Sequence, residues 1–127
     1  MPRVHRSRLT AIAIDVPAAD HEAEAAFWSG ALGHPVAPED QGDAYMTVGH
    51  GDGLAVFVQR VGEEAPRYHL DIETDDVEAE AARLEALGAT RVEQIGTWWV
   101  MRDPAGLLFC VVRPQRDDFP AGAATWD

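Results

Sequence analysis

Glu22-Ala23-Glu24-Ala25-Ala26 and Glu78-Ala79-Glu80-Ala81-Ala82 are the same five residues, 56 positions apart. Each copy runs on to Ala-Leu-Gly, at Ala31-Leu32-Gly33 and Ala86-Leu87-Gly88, now 55 apart. A third echo stands at 53: Gly53-Leu54-Ala55-Val56-Phe57-Val58 against Gly106-Leu107-Leu108-Phe109-Cys110-Val111. One match of common residues carries little weight. Three in the same order, at nearly constant offset, mark a tandem repeat of about half a small domain. Duplication bears on function because two copies of one unit create a pseudo-twofold surface, and ligand sites favour such interfaces.

Outward from the repeated helices, each copy reads as a strand, a helix and two or three further strands. Leu9–Val16 is rich in Ile and Val and predicts a strand. Asp20 stands where an N-cap belongs, Ala-rich sequence follows to Leu32, and Gly33 ends it as a C′ residue does. A polar loop (Pro38–Asp43) leads to short strand Ala44–Val48, a turn at Gly49–Gly53 and strand Leu54–Val61. In the second copy Tyr68–Glu73 is a strand whose odd positions are His69, Asp71 and Glu73, with Leu70 and Ile72 on the other face. Thr74 or Asp75 caps the next helix, with Glu78 completing a box from Asp75. Val77, Ala81, Leu84 and Gly88 form its buried stripe. Ala89–Ile95, Thr97–Arg102 and Leu107–Arg113 are the remaining strands, with a turn at Asp103-Pro104-Ala105-Gly106.

The expected fold class is therefore α+β: tandem βαβββ modules in a curved mixed sheet, helices on its outer face and the other face lining a cleft. Residues 1–8 read as a basic N-terminal tail and 9–114 as one domain, with module one at 9–61 and module two at 68–114. Residues 115–127 read as an extended C-terminal arm.

Composition narrows the partners. The 127 residues are one domain's worth, and no apolar run approaches the roughly 20 residues that span a bilayer. The basic N-terminus has no apolar stretch behind it, and the single cysteine excludes an internal disulfide framework. A cytoplasmic location is the expectation. All ten positive side chains are Arg and the net charge is −12, which disfavours nucleic acid and leaves an acidic rim suited to a cationic guest.

On the open face, His69 has the strongest functional claim. Asp71 and Glu73 share its side of the strand, either to polarise the imidazole as a base or as solvated residues near the strand end. Glu73 falls to the solvated reading. Trp98 and Trp99 are adjacent, so one packs under a helix and the other walls the cleft, where it stacks on a planar ligand. Gln59 and Arg67 are placed to reach the mouth. Cys110 lies on the open side by parity, as a small hydrophobe. Phe27 and Trp28 read as core; His21, His34 and His50 read as surface. There is no phosphate loop, dinucleotide fingerprint, nucleophile elbow or paired-cysteine zinc motif.

Phe27-Trp28 with Gly30-Ala31-Leu32-Gly33, Arg67–Ile72, Arg83–Thr90, and Asp103-Pro104-Ala105-Gly106 with Phe109–Val112 resemble the vicinal-oxygen-chelate superfamily. That is the glyoxalase, bleomycin-resistance and dioxygenase group, and the likeness is greatest to small bacterial glyoxalase-like proteins. The resemblance implies a cup made by paired βαβββ modules, commonly in a homodimer. In metal-dependent members it implies one divalent ion, held by His and Glu from the first and last strands of each module. Carried over by position, those ligands fall near Thr10, at Phe57 or Gln59, at His69 and at Cys110. His69 alone is a good ligand, so the set is incomplete and no cofactor is expected, although the scaffold admits a divalent metal.

The functional expectation is a small-molecule-binding protein without the complete metal site, taking an organic or antibiotic-like ligand at His69, Asp71, Gln59, Trp98, Trp99 and Cys110. The alternative is a lyase, isomerase or dioxygenase-type enzyme in which His69 is the base or the residual metal ligand. Neither a nucleic-acid nor a membrane partner is expected.

Overall fold

The computed structural model describes residues 4–40, 43–51, 54–62 and 65–127. Parts of the expected loops and turns, at 41–42, 52–53 and 63–64, lie outside the described residues, as does the start of the expected tail. The elements are β1 (His5–Pro17), α1 (His21–Leu32), β2 (Tyr45–Gly51), β3 (Leu54–Val61), β4 (Arg67–Thr74), α2 (Val77–Ala86), β5 (Thr90–Ile95), β6 (Trp98–Arg102), β7 (Leu108–Val112) and β8 (Ala124–Trp126). The fold is α+β, as the duplicated pattern predicts. Among the described residues the strands form a mixed eight-stranded sheet in the order β2-β3-β1-β4-β7-β6-β5, with β8 paired to β1.

The chain divides into two compact units: Ala11–His69, and the residues up to Thr10 together with Leu70–Asp127. In the first, β1 and β3 run parallel, with Ala13 opposite Phe57 and Asp15 opposite Gln59. β2 lies antiparallel beyond β3, with Tyr45 opposite Gln59 and Thr47 opposite Phe57. Alternation then sorts the side chains. Ile14, Val16, Met46, Val48 and Val58 join Ala25 of α1 in one core, with Trp28, Val36 and Val56 packed against it. Asp15, Phe57, Gln59 and Tyr45 are left on the other face.

α1 reaches that core through His21, Ala25 and Trp28, the spacing of one helical stripe. His21 is buried, its Nε2 3.2 Å from the Val58 carbonyl, so it is not the surface residue expected. Phe27 falls off the stripe and is 63% exposed, against its expected place in the core. Gly33 ends the helix with φ 68°, where a side chain is strained. β2 passes so close to the end of α1 that a Cβ on Gly49 would lie 2.7 Å from Leu32 Cδ1. Gly49 is thus a strand residue rather than the start of a turn, and a side chain there would have to displace the Leu32 tip.

In the second unit β4 and β7 are parallel, with Asp71 opposite Cys110 and Ile72 opposite Val111. β6 is antiparallel to β7 and β5 to β6. Ala81 of α2, Met101 and Val111 are its buried core, with Val77, Leu84, Ala89, Trp99 and Phe109 packed around them. The cap is Asp76, whose carboxylate accepts from the Ala79 amide at 3.0 Å; the expected cap at Thr74 or Asp75 lies one or two residues early. Thr74 instead donates to the Arg6 carbonyl at 2.7 Å. Leu70 remains 45% exposed, so its expected burial beneath the helix is not seen.

The N-terminal segment is strand, not tail, from His5 onward. His5–Ser7 pair with Ala124–Trp126, which also gives the C-terminal arm its β8. His5 Nε2 is 2.8 Å from Glu80 Oε1, and Arg83 grips both Glu80 oxygens at 2.8 Å. Trp126 donates to Ser7 at 2.9 Å, with the Arg83 guanidinium 3.9 Å above its ring. Burial pushes the Glu80 carboxyl up, but bonds from Arg83, His5 and Ser7 outweigh it and hold the group below its ordinary range.

No described helix is long and apolar enough to cross a membrane.

Candidate functional site

β1 supplies the residue around which the site is built. Asp15 is 1% exposed, in a strand otherwise made of Ile, Ala and Val at this point. A carboxylate so far from water needs partners. It has two: His69 Nδ1 at 2.6 Å and Arg67 Nε at 3.4 Å, both on Oδ2. His69 is 10% exposed and Arg67 40%, so the acid lies beneath and the two nitrogen-bearing groups lie above it.

The row continues across the unit. Asp15 is in register with Gln59, and Gln59 with Tyr45. The Gln59 amide donates to the Tyr45 hydroxyl at 3.4 Å, and the Tyr45 and Phe57 rings meet edge-on with centroids 5.7 Å apart. Gln59, Arg67 and His69, singled out from the sequence, are therefore members of one unit. Asp15, the residue that organises them, was missed. Its signal was the only carboxylate within an apolar strand, where a charge is retained only with a partner.

The remaining expected residues divide. Trp99 packs against the helix-side core, with Arg91 4.8 Å over its ring, so it does not wall the open face as a ligand group. Trp98, its neighbour in the strand, points the other way and stays partly exposed. Glu73 is not solvated: it is fully buried, bonded by Arg8 Nε at 2.5 Å and by the Gln115 amide at 2.6 Å. Arg8 also reaches Asp118 at 2.7 Å and the Ala121 carbonyl. Glu73 is thereby committed to holding the C-terminal arm and leaves the candidate site.

Asp71 lies opposite Cys110 across β4 and β7, within the second unit. The positions carried over from the family supply no ligand set. Phe57 has no donor, the Gln59 amide is turned to Tyr45, and the Thr10 hydroxyl accepts from Arg116 Nε at 3.2 Å. The family's His/Glu set does not fit these residues.

What the arrangement can do is hold an imidazole in one orientation. A buried carboxylate on Nδ1 fixes the ring and favours the tautomer with the proton there, the device that stands behind histidines acting as ligands, bases or hydrogen-bonding anchors.

The model of the glyoxalase-like domain family matches residues 11–112. No curated protein matches the chain. Among solved structures, a methylmalonyl-CoA epimerase in complex with methylmalonyl-CoA and NH4+ is 18% identical, with a TM-score of 0.59 over 87% of this chain and 96% of that one. A variant of the Streptomyces coelicolor epimerase in complex with 2-nitronate-propionyl-CoA is 19% identical, with a TM-score of 0.56 over 85% and 95%. The Mycobacterium tuberculosis epimerase is 18% identical, with a TM-score of 0.53 over 85% and 88%. Likeness at this identity speaks for the fold alone.

Proposed function

The chain belongs to the glyoxalase-like domain family, and on that footing we propose that it binds a small organic molecule on the open face of its sheet, anchored by His69, without the family's full ion-ligand set. The observation that carries the reading is the 2.6 Å contact between His69 Nδ1 and the buried Asp15. Desolvating a carboxylate costs several kcal/mol before any partner is counted. Retaining one beneath a histidine, where an apolar side chain would pack, favours a directed imidazole. Homodimeric assembly and the absence of nucleic-acid or membrane partners belong to the same proposal.

A second reading has the same observation behind it. An oriented imidazole is also a general base, and Asp15 would fill the role that Asp71 and Glu73 were expected to fill. The enzyme would then transfer a proton on a small oxygenated substrate.

The test is thermal melting against a panel of pterins, bleomycin-like cations, α-keto acids, aromatic acids and acyl-CoA thioesters, with and without EDTA. Ligand at 100 times its Kd adds about 2.7 kcal/mol and raises Tm by several degrees. The expected result is a shift with at least one compound, insensitive to EDTA and reduced in His69→Ala. No shift with any compound would overturn the binding reading; turnover abolished by both His69→Ala and Asp15→Asn would favour the second.

A further inference from the structure

We propose that the ligand is a flat aromatic molecule with an anionic oxygen edge, stacked on Tyr45 and Phe57 and met at its charged end by Arg67. This rests on the binding reading and names the ligand class for the same face. Tyr45 is 53% exposed although it lies opposite the core. It stands edge-on to Phe57 at an interplanar angle of 69°, so the pair forms an L-shaped wall. A third ring can lie flat on one and turn its edge to the other, a geometry worth about 0.5–1.5 kcal/mol beyond area burial, or roughly two- to tenfold in affinity.

The row Tyr45, Gln59, Asp15 spans three strands in register. Two interstrand spacings make about 10 Å, the length of a bicyclic ring with a carboxylate. At the aromatic end the row offers the Tyr45 hydroxyl and Gln59 amide; at the other it offers Arg67 and His69.

Net charge and local charge point in opposite directions. A chain at −12 attracts cations at long range. Beyond about 8 Å that attraction is screened at physiological salt, and within that distance the nearest groups decide. In this unit Asp15 is 1% exposed and already engaged, whereas Arg67 is 40% exposed. An incoming molecule meets the guanidinium, whose planar fork matches a carboxylate.

Isothermal titration of the intact protein with 2-naphthoate, its fully saturated decalin analogue and 2-naphthylmethylammonium tests the class. Expected are 2-naphthoate binding roughly two- to tenfold tighter than the saturated acid and no binding of the cation. Tyr45→Leu, which keeps an apolar side chain but removes the ring, should erase the aromatic preference; Arg67→Gln should weaken 2-naphthoate about tenfold. Equal affinity for the two acids, or tighter binding of the cation, overturns the proposal, and this comparison needs no variant. If none of the three binds while another compound binds through His69, the class is wrong and the binding reading stands. If nothing binds from either set, both fall.

Discussion

A carboxylate buried among apolar side chains is unstable unless its charge is answered, and Asp15 is answered twice, by His69 and by Arg67. Removing the acid takes one acceptor from each of them. Asp15→Ala is expected to lower folding stability by about 2–3 kcal/mol in urea denaturation, and Asp15→Asn by less because the amide oxygen still accepts. Glu80 is the second buried acid, and its sign is fixed by its lowered pKa. The folded chain binds a proton there less readily than the unfolded chain, so its contribution is complete above the ordinary carboxylate range and lost as pH falls through the folded value. The stability gap between wild type and Glu80→Gln should be about 2 kcal/mol at pH 7 and shrink steadily toward pH 3. A gap independent of pH would contradict the burial and bonding described for Glu80. Neither acid was legible as structural from sequence. Parity places Asp15 on a face, but its partner His69 comes 54 residues later, and His5 stands 75 residues from Glu80; Arg83, three residues on, is the local partner.

Elements were read more reliably than their contacts, for a physical reason. Val77, Ala81 and Leu84 recur at helical spacing and pack into one core, as their period requires. Periodicity does not fix the cap, which depends on which acid aims at an amide. Asp76 does so, and Asp76→Ala should cost about 1 kcal/mol by thermal or chemical denaturation. The ends of the chain were misread because the pairing of His5–Ser7 with Ala124–Trp126 joins segments over a hundred residues apart. Trp126, bonded to Ser7 and covered by Arg83, is the fixing point of β8. Trp126→Ala should cost about 2–4 kcal/mol and raise amide exchange in β8 and at the start of β1, while leaving β2 and β3 protected.

At the scale of the molecule, the duplicated sequence was enough to predict an α+β sheet with a helix on one face of each repeat, because two copies of one pattern must bury two copies of one stripe. The candidate site was legible in part: His69, Gln59 and Arg67 come together, Glu73 and Trp99 are drawn elsewhere, and Asp15 went unnoticed. The account depends on the open face of β1, β3 and β4 being a ligand surface organised by Asp15 and His69. The most direct measurement is an amide and imidazole chemical-shift map of the labelled protein with the best compound from the melting panel at saturation. Perturbations concentrated at Asp15, Phe57, Gln59 and the His69 ring are predicted. Shifts confined to α1 and α2, or none at His69, would contradict it.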